Sequence, residues 1–246
     1  FKHGVERPML ARMINDLKFP VDIDSVLINN GTVYVREITQ ETHREAFIPL
    51  EAINAVATHV RNRNNSNDSL MLFASLKLYN TTAHYFHYSE AYGDSLSSFA
   101  LQVRLSPVIL PELSPITMPY ANVNVVEGKA DTLYADWIGN KYAAAGKMHF
   151  IYDGLKIKLM SRKDSSRSTF FGRIVSFLAN DIAIHKKNDE PVVIFFVRDR
   201  EKSVFNYWVK TKLNGLLASA AILQRKKHLK EYRKSKEKYY LPEMGE

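Results

Sequence analysis

His84 and His87, followed by Tyr88 and Glu90, form the densest grouping in this chain of side chains that could bind a metal or move a proton. The two histidines are an odd number of positions apart, so on a strand they point to opposite faces and cannot share one ion. Their expected setting is the protein surface. Two acidic pairs, Asp22 with Asp24 and Glu41 with Glu45, have the residue types of a general acid and base, yet both lie beside turns in segments whose polar residues face water. No H-E-x-x-H helix, G-x-S-x-G elbow or glycine-rich phosphate loop occurs in the sequence. The absence of cysteine excludes thiolate zinc sites, cysteine nucleophiles and disulfide frameworks. The sequence therefore nominates no catalytic residue, no metal ligand and no cofactor, and the expectation is a protein that is not an enzyme.

The elements that would position any site are strands. The 246 residues, 46% of them hydrophobic, read as one β-rich domain of mainly β (α+β) class, a long curved antiparallel meander with a few helices. A first meander is expected over 21–106. Pro8 to Leu17 reads as a short helix feeding its first strand. Val21 to Ile28 alternates, Asn29-Asn30-Gly31 signals a turn, and Val33 and Val35 continue on a return strand, together a hairpin. Ala46 to Val60 fits a helix or a strand, and its surroundings favour the strand. After the polar cluster Arg61 to Ser69, further strands are expected at Leu70 to Leu78, Ala83 to Tyr88 and Phe99 to Leu105.

Prolines at 107, 111, 115 and 119 recur every fourth residue, and proline donates no ladder hydrogen bond. This piece reads as an edge, an extended link or a crossover, packed within one sheet system by its interleaved apolar residues. A second meander follows over 120–200. Asn122 to Met160 reads as three or four long strands, with Tyr142, Ala144, Gly146, Met148, Phe150 and Tyr152 on one face and a hairpin at Asp153-Gly154. Residues 169–179 have the cap and spacing of a short helix, and Asp181 to His185 with Val192 to Val197 read as a closing hairpin.

Residues 203–238 are expected to form an amphipathic helix that becomes strongly basic. Phe205, Trp208, Val209, Leu213, Leu216, Leu217, Ala220 and Leu223 supply its apolar face. That face either packs on the protein's own sheet or meets a membrane or another chain. Of the net charge of +8, +6 lies between Gln224 and Lys238. A membrane or partner contact there would use Trp208, Leu216, Arg225, Lys226, Lys227, Lys230, Arg233 and Lys234. Nucleic-acid binding is a weak match, because the tail's tyrosines lie on a helix rather than along a basic groove. No apolar run approaches the roughly 18 to 20 residues that cross a bilayer.

The stretches VDIDSVLINNGTVYVRE, IPLEAINAVATHVRN and VNVVEGKADTLYADWIGNKYAAAGKMHFIYDGLKIKLM, with the late PVVIFFVRDREKSVFNYWVKTKLNGLL, resemble the C-terminal part of AsmA-like envelope proteins, most closely the Bacteroidetes branch. The likeness covers most of Val21 to Leu217. It implies a long curved sheet with an apolar face that passes or holds lipids, a cell-envelope or periplasmic location, and a membrane anchor upstream of this chain. Asp24-Ser25-Val26, Asp68-Ser69-Leu70, Asp94-Ser95-Leu96 and Asp131-Thr132-Leu133 resemble the glycosylation sites of exported Bacteroidetes proteins and point the same way. On this view a lipid ligand lies against Leu101, Val103, Leu105, Met148, Phe150, Leu155, Ile157 and Leu159, which equally suit an ordinary core under the helices. The alternative is a β-rich structural or protein-interaction module whose C-terminal helix docks a partner.

Overall fold

The computed structural model describes residues 4–38, 42–62, 68–79, 82–159, 186–220 and 222–243. The expected helix over 169–179 and the arm Asp181 to His185 lie outside the described residues. One open, wholly antiparallel sheet dominates. Its strands are β1 (Asp22–Ile38), β2 (Glu45–Arg61), β3 (Ser69–Leu78), β4 (Thr82–Ala91), β5 (Phe99–Leu105), β6 (Val108–Ile109), β7 (Val123–Gly139), β8 (Ala143–Leu159) and β9 (Pro191–Val197). Spatial order follows chain order, and β6 continues the line of β5 along the same edge of β7.

Two reversals expected from the sequence are not reversals. Asn29-Asn30-Gly31 lies inside the single 17-residue strand β1. Asn30 is left-handed, at φ 51°, and its N–H donates to Asn54 Oδ1 at 3.1 Å. The pairing slips between Ile28 and Gly31 and slips back by Val33, because β2 carries a compensating extra residue near Ala52, itself at φ 48°. Matched bulges absorb the turn-prone residues, since a partner strand of equal length continues on both sides of them. Asp153-Gly154 likewise lies within β8. Gly154 (φ +68°) faces Gly128 (φ +125°) on β7, where only glycine adopts such angles without strain. Asn122 to Leu159 thus holds two long strands, reversed at Asn140 to Tyr142.

The proline-spaced link is helical rather than extended. After β6 comes a 3₁₀ turn, Leu110–Leu113, then α2 (Ser114–Ala121), with Pro115 in its first turn, where a missing N–H costs nothing. The link returns to the neighbouring strand of the same sheet, as its apolar residues require. Near the N-terminus only Leu10–Asn15 is helical, as α1.

The C-terminal helix is two helices, α3 (Val204–Ala220) and α4 (Ile222–Ser235), set on opposite faces of the sheet. Helix α3 lies on the face of Met148 and Ile194. Helix α4 packs on the other face, where Tyr232, Leu241 and Tyr239 cluster with Ala143, Ala145 and Phe195. The pair therefore straddles β9. The buried side of α3 also differs from the expected one: Val204, Tyr207, Thr211, Asn214, Gly215, Ala218 and Ser219 face inward, while Phe205 and Val209 are exposed. Small residues win this face because they permit close approach. A β-carbon at Gly215 would lie 2.7 Å from Met148 Cε and 3.0 Å from Ile194 Cγ1. The buried hydroxyls of Thr211 and Ser219 donate to the carbonyls of Tyr207 and Gly215 within the helix, so neither is left unsatisfied.

Candidate functional site

Cross-strand pairs place their side chains on one face, so the ladder can be followed across the sheet. One row runs Val26, Ala57, Leu72, Tyr88, Leu101, Trp137, Gly146, Ile194, from β1 to β9. Val26 is 40% exposed, Leu72 is half-buried, and Tyr88 and Ile194 are fully buried. The same face is thus a covered core from β4 onward and an open surface toward β1.

The covered part contains most of the residues nominated from sequence as lipid liners. Leu101, Val103, Leu105, Met148 and Phe150 are buried in the main core, with residues of α3 packed against it. Leu155 and Ile157 are half-buried at its border. Leu159 ends β8, and its side chain lies outside the described residues. Trp208 packs on Tyr88 with ring centroids 4.8 Å apart, and Leu216 also leans on this core. On α4, Lys226, Lys227, Lys230, Arg233 and Lys234 are exposed, and Lys227 pairs with Glu231 at 4.0 Å. The side chain of Arg225 is outside the described residues.

The open part was not nominated from sequence. Val26, Ile28, Val33 and Val35 on β1 are 38 to 49% exposed. Their partners Ala57, Ala55, Leu50 and Ile48 on β2, and then Leu72, Ala74 and Leu76 on β3, extend the same face. None of these side chains is polar or charged. A strip three strands wide is therefore apolar throughout and flanked by α1 and α2, which pack at its borders. Alternation within each strand was readable, but the bulges at Asn30 and Ala52 shift parity along β1 and β2, which hides the continuity of the strip.

Where cover begins, His84 on β4 meets Lys212 on α3, with Nδ1 and Nζ 3.3 Å apart. His84 is 4% exposed, not a surface residue, and its Nε2 has no hydrogen-bond partner. Its odd spacing from His87 does put the two on opposite faces. Burial, with the Lys212 charge adding to it, lowers the His84 pKa to about 2. Burial alone lowers that of Lys212 to about 8. Deeper in the core, Glu90 Oε2 accepts from the Ala11 N–H at 2.8 Å and the Tyr88 hydroxyl at 2.7 Å, and burial raises its pKa. Arg198 Nη2 donates to the carbonyl of Arg7 at 2.6 Å, and its Nη1 contacts Met9 Sδ at 3.1 Å.

On the opposite face a cleft of about 520 Å³ runs over β1 to β5. Phe73 and His87 stack there at 4.3 Å, and His87 Nδ1 lies 3.4 Å from Gln102 Oε1. Asp22 and Asp24 both reach Arg61, at 3.5 and 3.4 Å, while Glu41 lies outside the described residues. Among the described residues no three His, Asp or Glu side chains gather as a metal site, and no helix is long and apolar enough to cross a membrane. No family model, no curated protein and no solved structure matches this chain.

Proposed function

We propose that this protein is a non-enzymatic lipid-handling protein of the cell envelope, AsmA-like in type, which holds acyl chains against the open face of β1 to β3. The observation that carries this reading is the uncharged apolar strip from Val26 to Leu76, exposed at β1 and framed by protein at its inner border. Contiguous exposed apolar surface of this kind serves a ligand or partner, since a soluble protein otherwise covers it. The resemblance noted in the sequence agrees with it, and the exposed lysines of α4, with Arg233, suit an anionic bilayer surface.

A second reading, a protein-interaction module, is favoured by the outer edge of β1. Its backbone pairs with no strand among the described residues, so a partner strand could add to it.

The test is flotation with liposomes containing anionic phospholipid, together with native mass spectrometry for retained lipid. Val33→Glu with Ile28→Glu should abolish retention, while Tyr85→Ser on the opposite face should leave it intact. Absence of lipid and of flotation for the native chain would refute the lipid reading and leave the interaction module.

A further inference from the structure

The open strip ends at a cation that has no anion. Lys212 forms no ion pair among the described residues; its one polar contact is the neutral ring of His84. Trp208, one turn earlier on α3, also has a buried indole N–H without an acceptor, and His84 Nε2 is unpartnered. Two nitrogens at the seam between β4 and α3 thus lack acceptors, and the ammonium beside them has a neutral acceptor but no anion among the described residues. Lys212 is half-buried as a residue but its ammonium is desolvated, so the charge has lost water and gained no opposite charge.

Beside the seam the surface is apolar. His84 pairs across the ladder with Leu76 on β3, and from there the strip continues over β2 to β1. Three strand spacings, roughly 14 Å, separate the cation from the free edge. An anion alone would satisfy the lysine and leave the strip bare, and a neutral hydrocarbon would do the reverse.

Resting on the lipid-handling reading above, we infer that the ligand is an anionic single-chain amphiphile whose carboxylate or phosphate oxygens pair with Lys212 while its alkyl chain lies across β3 to β1. Lys212 donates to the head group, and His84, unprotonated, accepts one ammonium hydrogen and orients the rest. Arg233 and the exposed lysines of α4 belong to a helix on the other face of the sheet and do not reach this head group.

The test is isothermal titration of the full chain with laurate, dodecyl phosphate, dodecanol and inorganic phosphate, each below its aggregation limit. Both anionic amphiphiles should bind at least about tenfold more tightly than dodecanol, as a charge-assisted hydrogen bond requires, and inorganic phosphate should show no saturable binding. Lys212→Met should erase that preference at unchanged dodecanol affinity, and Lys212→Arg should keep it. Equal binding of laurate and dodecanol by the native chain, or a preference that survives in a folded Lys212→Met, overturns the role of Lys212 while leaving the apolar strip intact. Saturable binding of inorganic phosphate as tight as that of dodecyl phosphate overturns the amphiphile. Failure of all three amphiphiles overturns both this inference and the reading beneath it. Should Lys212→Met not fold, the native comparison and Lys212→Arg decide.

Discussion

His84 shows how one buried ring sets acid sensitivity. Its pKa is about 2 in the folded protein and near 6.5 once unfolded, so between those values the unfolded chain binds a proton that the folded chain refuses. Stability therefore rises with pH across that window and is lost as pH falls below 6.5. His228, lowered to about 4 by burial, acts in the same sense over a narrower range. Lys212 extends the trend at the alkaline end, between about 8 and its ordinary 10.5. Glu90, with a raised pKa, opposes it just above its ordinary 4.5. His84→Leu should flatten the fall in urea midpoint between pH 7 and pH 5 relative to the native protein, with His228 leaving a residual slope. An unchanged fall would show that His84 is protonated without cost. The sequence gives no hint of this burial, because a histidine in an alternating strand is equally suited to either face until the cover is known.

At the scale of elements, the periodicity of β3, β5 and β8 is plain in their residues, since Leu101, Val103 and Leu105 can share only one face. The turn signals misled for a physical reason. Asn-Gly and Asp-Gly mark left-handed backbone, and left-handed backbone serves a bulge as well as a hairpin; the choice belongs to the partner strand, which lies elsewhere in the chain. The inward side of α3 was hidden similarly, because close packing on Met148 and Ile194 selects Gly215 and Ala218 over the larger apolar residues beside them. Gly215→Leu should therefore lift α3 from the sheet, at a cost of about 2 to 3 kcal/mol in urea unfolding. Loss of Trp208 burial should accompany it, read as a red shift in fluorescence. A neutral Gly215→Leu would mean that the helix is not seated on β8 and β9 as described.

At the scale of the molecule, the meander order was legible because consecutive strands pair with their neighbours, while the open strip was not, since it exists only where distant segments stop covering the sheet. One such segment is the N-terminal stretch from Arg7 to Ala11, seated by Arg198 on one side and Glu90 on the other. Arg198→Met should destabilise the protein by about 2 kcal/mol, through the lost charged hydrogen bonds to the Arg7 and Lys202 carbonyls. It should also speed hydrogen exchange at Ala11 and Met13, and unchanged exchange there would deny the clasp. The partners in this clasp are separated by 191 positions. During synthesis at about 5 to 20 residues per second, the early segment waits roughly 10 to 40 s before its arginine leaves the ribosome. Until then only the Glu90 side of the clasp exists, so Leu10 and Ala11 can settle against Leu70 and Tyr92 well before Met9 meets its arginine.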